Sequence, residues 1–147
     1  MNSASWGIWL GGVLPAVLFG LCGAIQKLSL RFGIAQGWYL ICLGLAVTTV
    51  GGCWLVWFPA ERQVSWAAGG WAAVVGVLFG IGVTAIGYTI DRLGVPVAKL
   101  VSIYNANTLV TVALGFWWFG EAQHVDALKL LAGALFIVFG GTLAATS

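Results

Sequence analysis

Long stretches without a charged residue are the feature of this sequence that most limits its fold. Six Lys and Arg residues and four Asp and Glu residues occur in 147 positions. They leave five uncharged stretches, at 1–26, 32–60, 63–90, 100–120 and 130–147. An apolar helix needs about 20 residues to cross the hydrocarbon of a bilayer. The pattern therefore predicts a chain made almost wholly of membrane spans, which excludes both a soluble enzyme domain and a single anchor that carries a globular head.

The predicted fold is all-α: a polytopic membrane protein whose single domain, 1–147, is a bundle of five transmembrane helices. We number these helices span 1 to span 5 in chain order and predict them at about 6–30, 36–58, 66–90, 95–119 and 127–145. Span 1 is too long for the apolar core of a cleaved signal peptide, so we expect it to be retained. Pro15 lies inside it and is expected to kink it. The expected location is a plasma membrane of the bacterial inner-membrane type.

Tryptophan and glycine are placed as membrane helices require. Aromatic residues that mark the membrane surface stand at the ends of spans 2, 3 and 4: Trp54, Trp57, Trp66, Trp71, Trp117 and Trp118. Glycine rows, which let helices approach closely, are Gly37, Gly44 and Gly51 in span 2, Gly76 and Gly80 followed by Thr84, Gly87 and Tyr88 in span 3, and Gly133, Gly140 and Gly141 in span 5. We expect the rows of spans 2 and 3 to pack within the chain and the row of span 5 to form a dimer seam.

The cations are nearly balanced across the predicted bilayer. Because spans alternate in direction, the connections after spans 1 and 3 share one side. Two cations lie there and two lie on the opposite side, namely Arg31 and Arg92 against Arg62 and Lys129. Lys27 and Lys99 would favour a cytoplasmic location for the first side, but both lie within predicted spans. We therefore hypothesise dual topology, in which the chain inserts in both orientations and forms an antiparallel homodimer.

Polar side chains inside the predicted spans are the candidate binding residues. A charged residue at the centre of a membrane helix costs about 2.5–3.5 kcal/mol, so its presence requires an explanation. For Lys27, near the end of span 1, two explanations stay open: snorkelling of its ammonium to the surface, and solute binding. Gln26 is expected to face a cavity. Span 4 carries two polar rows, for which interhelical hydrogen bonds are the alternative to a solute pathway.

We predict a polar, water-accessible cavity bounded by spans 1, 3 and 4, with Trp71 as an additional aromatic wall. Its candidate substrate-binding residues are Gln26, Lys27, Tyr88, Lys99, Tyr104, Asn105, Asn107, Thr108 and Thr111. The embedded charges are lysines and no Asp or Glu lies mid-span, so the cavity suits a carboxylate or another anionic group of a solute better than a lipophilic cation. This pattern argues against a small multidrug exporter.

The sequence lacks the residue patterns of metal sites, catalytic sites and nucleic-acid-binding surfaces. The cysteines, Cys22, Cys42 and Cys53, lie inside apolar runs without the spacing of metal ligands. His124 stands alone in a connection and is interpreted as a surface residue. The sequence has no nucleophile with a matching base and no phosphate-binding loop. A net charge of +2 is too small and scattered for a nucleic-acid surface. We therefore expect no enzyme activity, no metal, no cofactor and no nucleic-acid partner.

Several short motifs follow one another along the chain. They are Phe19-Gly20 and Lys27 in span 1, Arg92-Leu93-Gly94-Val95 before span 4, Gly115-Phe116-Trp117-Trp118-Phe119-Gly120-Glu121 at its end, and Leu131-Ala132-Gly133-Ala134-Leu135 with Gly140-Gly141 in span 5. In this order they resemble the five-helix repeat of EamA-like members of the drug/metabolite transporter superfamily. Two positions depart from that pattern. Phe19 stands where the family has Trp, and Asn107-Thr108 stand where it often has a proline that bends the fourth helix.

The resemblance implies a membrane transporter that exports metabolites such as amino acids by alternating access. Most members of the family carry two inverted five-helix repeats with the substrate cavity between them. A single repeat implies that two chains associate as a ten-helix antiparallel homodimer, and the Gly120-Glu121 pair is expected to cap the turn between spans 4 and 5.

The expected function is export or facilitated transport of small polar or zwitterionic metabolites. The expected partners are the lipid bilayer, a small-molecule solute and a second copy of the chain. The alternative is a non-transporting or heteromeric subunit that pairs with another five-helix chain.

Overall fold

The computed structural model describes residues 3–58, 65–123 and 125–146. Within these ranges the regular structure is helical throughout. Five helical segments are long and apolar enough to cross a membrane: Trp6–Arg31, Gln36–Trp57, Trp66–Arg92, Val97–Trp118 and Ala127–Ala145. The prediction of an all-helical chain with five spans of membrane length is confirmed, and dimerisation stays a prediction. Pro59, Glu61, Arg62 and His124 lie outside the described residues.

The chain divides into two compact units. Unit 1, Met1–Gly94, contains spans 1, 2 and 3, and unit 2, Val95–Ser147, contains spans 4 and 5. In unit 1, span 3 contacts both span 1 and span 2 and is therefore the central helix. In unit 2, both halves of span 4 pack against span 5.

Span 1 is irregular where proline enters it. It consists of an α-helix at Ser3–Ile8, a π-helical turn at Trp9–Val13 and an α-helix at Leu14–Arg31. The N–H of Leu14 donates to the carbonyl of Trp9, five residues earlier. Pro15 has no N–H, and its ring would clash with the carbonyl four residues before it in a regular helix. The irregularity expected at Pro15 therefore takes the form of a widened turn in the residues that precede it.

Span 4 is also interrupted, although no proline lies within it. It consists of α-helices at Val97–Tyr104 and Asn107–Trp118, joined by a turn at Asn105 and Ala106. At this turn the N–H of Ala106 donates to the carbonyl of Ile103, three residues back. Bonds of this kind tighten the backbone to the 3₁₀ form. The absence of a proline at Asn107 therefore does not make span 4 one regular helix.

Glycine ends three of the spans. Gly33, Gly94 and Gly120 follow spans 1, 3 and 4 with φ angles of +83°, +65° and +67°. A residue without a Cβ adopts this left-handed conformation without strain, and it is the usual way to stop an α-helix.

Large apolar side chains are exposed along all five spans. Among the described residues, Ala134 is the buried apolar side chain, at 3% exposure. All nine Trp side chains are more than half exposed, from 53% at Trp54 to 93% at Trp66. Contact with water would cost about 25 cal/mol for each Å² of this apolar surface, whereas contact with lipid hydrocarbon does not. The distribution is therefore that of a multi-pass membrane protein.

The glycine rows pack differently from the expectation. No atom of a neighbouring element lies within 4 Å of the position that a Cβ would take at Gly44, Gly51, Gly76 or Gly80. These four positions do not make the close packing expected of them, whereas Gly87 of the span 3 row does, against the side chain of Gln36 in span 2. In span 5, Gly141 lies against the backbone carbonyl of Ser102 in span 4. Part of the expected dimer seam is therefore used inside unit 2.

Candidate membrane-embedded site

Two glutamine side chains from different helices meet at one backbone carbonyl in unit 1. Nε2 of Gln26, in span 1, donates to the carbonyl oxygen of Val83, in span 3, at 3.1 Å. Nε2 of Gln36, the first residue of span 2, donates to the same oxygen at 3.3 Å. Gln26 is only 5% exposed. The two amides join all three helices of unit 1, and we call Gln26, Gln36 and Val83 the amide clamp.

The amide clamp lies directly against the glycine at position 87. The head group of Gln36 occupies the space that a Cβ at Gly87 would fill, with Cδ and Nε2 of Gln36 2.7 Å from that position. Gly87 itself is buried. Oε1 of Gln36 is also buried, and it has no hydrogen-bond partner among the described residues. The absence of a side chain at Gly87 thus lets the amide reach Val83.

An open groove follows span 3 beside the amide clamp. It has a volume of about 590 Å³ and is lined by Leu40 of span 2 and by residues of span 3 between Val77 and Tyr88. The hydroxyl of Thr84, within the groove, donates to the carbonyl of Gly80 at 2.7 Å. That hydroxyl is therefore satisfied by its own helix. Tyr88 is 58% exposed and forms an aromatic wall of this mainly apolar groove.

The charged residues described in unit 1 lie where spans 1 and 3 end. Asp91 and Arg92 form an ion pair at 3.2 Å. Lys27 is half-buried and lies one helical turn before Arg31, which is exposed. Lys27 forms no ion pair within the part of the chain that the structure describes. Both explanations of this lysine, snorkelling and solute binding, therefore stay predictions.

The polar residues of span 4 divide into hydroxyls with local partners and exposed amides. Ser102, Thr108 and Thr111 donate to the carbonyls of Ala98, Asn105 and Asn107 at 2.9, 2.9 and 3.1 Å. These hydroxyls are bonded within their own span rather than to another helix. The side chains of Asn105 and Asn107 are exposed, and neither forms a hydrogen bond to the described residues. Of the five polar side chains named here, these two amides are the ones without a hydrogen-bond partner among the described residues.

Two further candidates of span 4, Lys99 and Tyr104, are half-buried. Each takes part in an interaction with another group of the protein. They therefore differ from the two asparagines, whose amides project from the surface of the unit.

Acidic residues near the connection between spans 4 and 5 serve the helix ends. Oε2 of Glu121 lies 2.8 Å from the position of a Cβ at Gly115, so the carboxylate lies over the last turns of span 4. Asp126 is the N-cap of span 5: its Oδ2 is 2.9 Å from Nζ of Lys129, and its Oδ1 accepts the N–H of Lys129 at 3.1 Å. The side-chain contact with Lys129, followed by the backbone hydrogen bond, lowers the pKa of Asp126.

The candidate residues belong to both units. Unit 1 contains Gln26, Lys27 and Tyr88, and unit 2 contains Lys99, Tyr104, Asn105, Asn107, Thr108 and Thr111. In unit 1, the bond from Gln26 to Val83 ties the end of span 1 to span 3. In unit 2, the six residues lie along one span. A single cavity that both sets line stays a prediction.

Two members of the unit 1 arrangement, Val83 and Gln36, are not predicted from the sequence. Val83 takes part through its carbonyl, which no side-chain pattern reveals. Sequence analysis places Gln36 at the start of span 2 without a role, although an amide at membrane level is itself a signal of interhelical bonding or binding. Gly87 belongs to the predicted glycine row of span 3, but the pattern does not show which side chain lies against it.

No known protein family, no curated protein and no solved structure matches the chain. The five apolar helices and their exposed surfaces place it in the class of helical multi-pass membrane proteins. Within the described ranges, no group of three His, Cys, Asp or Glu residues is placed to hold a metal ion. The resemblance to the EamA-like repeat stays a prediction.

Proposed function

We propose that the chain is a transporter of small polar or zwitterionic metabolites, acting as an exporter or facilitator by alternating access. The proposed assembly is an antiparallel homodimer in a bacterial-type inner membrane. One observation carries the proposal: Asn105 and Asn107 present exposed amides at the point where span 4 is interrupted. Interrupted membrane helices whose polar groups line a cavity are typical of transporter binding sites.

Packing alone does not account for these amides. Interhelical hydrogen bonds in membranes contribute only about 0.6 kcal/mol on average, and neither Asn105 nor Asn107 makes one within the described residues. An amide that faces lipid without a partner is unfavourable. A water-filled or solute-filled cavity supplies both the donors and the acceptors that an Asn side chain needs.

The two lysines within the spans favour a solute with an anionic group. Lys27 and Lys99 are the half-buried cations within the spans, and an ammonium binds a carboxylate through charge-assisted hydrogen bonds. Asn105 and Asn107 would add neutral donors and acceptors. Amino acids, which combine a carboxylate with an ammonium, are therefore the first solutes to test.

Reconstitution of the purified protein in liposomes tests the proposal. We expect uptake of a labelled amino acid that falls several-fold in Asn107→Ala and Asn105→Ala at equal protein content. Thr49→Ala is the matched control, because the Thr49 hydroxyl is exposed and bonded to Leu45 of its own helix. Uptake unchanged in both asparagine variants would remove the proposed site. Thermal stabilisation by candidate solutes narrows the choice of substrate beforehand, because a ligand that binds only the folded state raises its apparent stability.

A heteromeric subunit without transport activity is the alternative function. It is favoured by the open glycine positions of spans 2 and 3, at which another helix could approach closely. Affinity purification from native membranes separates the two. A stoichiometric membrane partner, together with no flux of any solute by the purified chain, would replace the transporter proposal with this alternative.

A further inference from the structure

The interruption of span 4 releases one backbone carbonyl. In a regular α-helix the N–H of Ala106 would donate to the carbonyl of Ser102, four residues earlier. It donates instead to the carbonyl of Ile103 at 3.0 Å. The hydroxyl of Ser102 donates to Ala98 and therefore supplies nothing to its own carbonyl. The oxygen of Ser102 is thus left without the N–H that the helix would normally provide.

Span 5 places a glycine directly against this oxygen. The Ser102 carbonyl oxygen occupies the space that a Cβ at Gly141 would fill, and the carbonyl carbon lies 3.2 Å from that position. Cα–H groups of glycine make weak hydrogen bonds to carbonyls at close helix contacts. The neighbouring Gly140 has no atom within 4 Å of its Cβ position. The close contact is therefore specific to one of the two adjacent glycines.

The tightened backbone continues beyond the released carbonyl. The N–H of Thr108 donates to Asn105 at 3.2 Å and the N–H of Leu109 donates to Ala106 at 3.0 Å, each three residues back. The hydroxyl of Thr108 adds a bond to the carbonyl of Asn105 at 2.9 Å. A 3₁₀ turn has 3.0 residues per turn and an α-turn has 3.6, so each tightened residue rotates those after it by about 20°.

We propose that span 4 is a two-state helix and that Gly141 is the latch that holds its interrupted state. In the interrupted state the N–H of Ala106 bonds to Ile103 and the carbonyl of Ser102 contacts Gly141. In the regular state the same N–H bonds to Ser102, and Asn107 turns relative to the first half of the span. The switch exchanges the backbone hydrogen bonds that this turn makes to the residue three back for bonds to the residue four back, beginning with that of Ala106. It does not depend on whether the chain transports a solute.

Replacement of the glycine tests the latch. A Cβ at position 141 would displace the Ser102 oxygen from span 5. Because an unpaired carbonyl is unfavourable at membrane depth, this oxygen would then accept a hydrogen bond from the nearest N–H, that of Ala106. NMR of labelled protein in micelles reports the change. We expect wild type and Gly140→Ala to show the contact between Tyr104 Hα and the Ala106 amide typical of a 3₁₀ turn. Gly141→Ala should replace it with the contact between Ser102 Hα and the same amide.

A proline variant keeps the proposal testable if Gly141→Ala does not fold. Ala106 has a φ of −61°, which matches proline. Ala106→Pro loses the N–H in both states, but its ring clashes with the Ser102 carbonyl, four residues earlier, only where the helix is regular. We expect Ala106→Pro to fold and to keep the interrupted backbone at Thr108. Failure of Ala106→Pro to fold, or an interrupted pattern that is identical in Gly141→Ala and Gly140→Ala, would overturn the latch.

Discussion

At the scale of single residues, the amide clamp shows how unit 1 uses polar side chains. Gln26 and Gln36 share one acceptor, the carbonyl of Val83. A carbonyl oxygen has two lone pairs and faces the N–H of Gly87 in its own helix as well. Loss of one glutamine therefore leaves this acceptor satisfied, and loss of both leaves it with the helical N–H alone.

The first prediction concerns the coupling of the two glutamines. We expect Gln26→Ala and Gln36→Ala each to lower the free energy of unfolding by about 0.6 kcal/mol, and the double variant to lower it by more than the sum. Unfolding by SDS in mixed micelles measures these differences. Thr49→Ala, whose hydroxyl bonds only to its own helix, serves as the control. Strict additivity would show that the two amides do not share an acceptor.

The second prediction concerns Gly87. A methyl group there would lie 2.7 Å from Cδ and Nε2 of Gln36, and overpacking of this kind costs about 1–3 kcal/mol. We expect Gly87→Ala to destabilise the protein at the low end of this range, because the Gln36 side chain is flexible. Truncation of that side chain in Gln36→Ala should abolish the effect. Gly80→Ala, at a position with no atom within 4 Å, should change the stability little in the same assay.

The third prediction concerns the pH dependence of the span 5 cap. The pKa of Asp126 is lowered in the folded state by its bonds to Lys129, so the ionised form stabilises folding. This contribution is fully present above the pKa of Asp in the unfolded chain, about 3.9. It is lost as the pH falls through the lower folded-state pKa. The difference in melting temperature between wild type and Asp126→Ala should therefore be constant near neutral pH and shrink in acid. A difference that grows in acid would contradict the cap.

At the scale of elements, the two interrupted spans have different origins. The π-helical turn of span 1 precedes a proline, whose missing N–H and bulky ring explain it. The turn of span 4 contains Asn105 and Ala106 and has no such residue. The hydroxyl of Thr108 bonds to the carbonyl of Asn105, and Gly141 contacts the carbonyl of Ser102, so both carbonyls have a neighbour other than the N–H of a regular helix.

The fourth prediction follows for span 1. Pro15→Ala restores an N–H and removes the ring clash, so we expect the turn Trp9–Val13 to become α-helical. The residues before it would then rotate by about 100°, the angle of one residue. Backbone NMR of the labelled protein should show the N–H of Leu14 bonded to Leu10 instead of Trp9. A π-helical turn that persists in Pro15→Ala would assign its cause to another feature of span 1.

At the scale of the whole molecule, the exposed apolar surface and the positions of the charged residues both bear on how the chain lies in a membrane. The described charges of unit 1 lie where spans 1 and 3 end, whereas Trp54, Trp57 and Trp66 mark the opposite end of that unit. An aromatic end and a charged end both fit a membrane surface. Orientation in the membrane therefore depends on the balance of cations rather than on apolarity.

The fifth prediction tests dual topology. Phe32, at 83% exposure, and Ser65 stand at opposite ends of unit 1. We would introduce Phe32→Cys or Ser65→Cys into a chain whose three cysteines are replaced by serine. Dual insertion predicts that a membrane-impermeant maleimide labels part of each variant from outside the cell. Labelling of one variant alone would reject dual insertion and leave the five-span fold unaffected.

The sequence by itself determined the number and nature of the helices. Uncharged stretches of about 20 residues can satisfy their backbone polar groups in lipid only as helices, so five spans could be counted from ten charges. Pro15 likewise marks the irregular part of span 1, and Gly120 the end of span 4. These features are local, because they depend on residues that are neighbours along the chain.

Only the tertiary structure decided which polar groups meet. Gln26, Gln36 and Val83 are distant in sequence, and their shared hydrogen bonds exist because three helices pack at one level. The contact of Gly141 with the Ser102 carbonyl likewise depends on the register of spans 4 and 5. Small and aliphatic residues are interchangeable in a hydropathy pattern. Whether a glycine lies against a carbonyl or an amide of another helix is set by the distance between the two helices. The hydropathy pattern does not encode that distance.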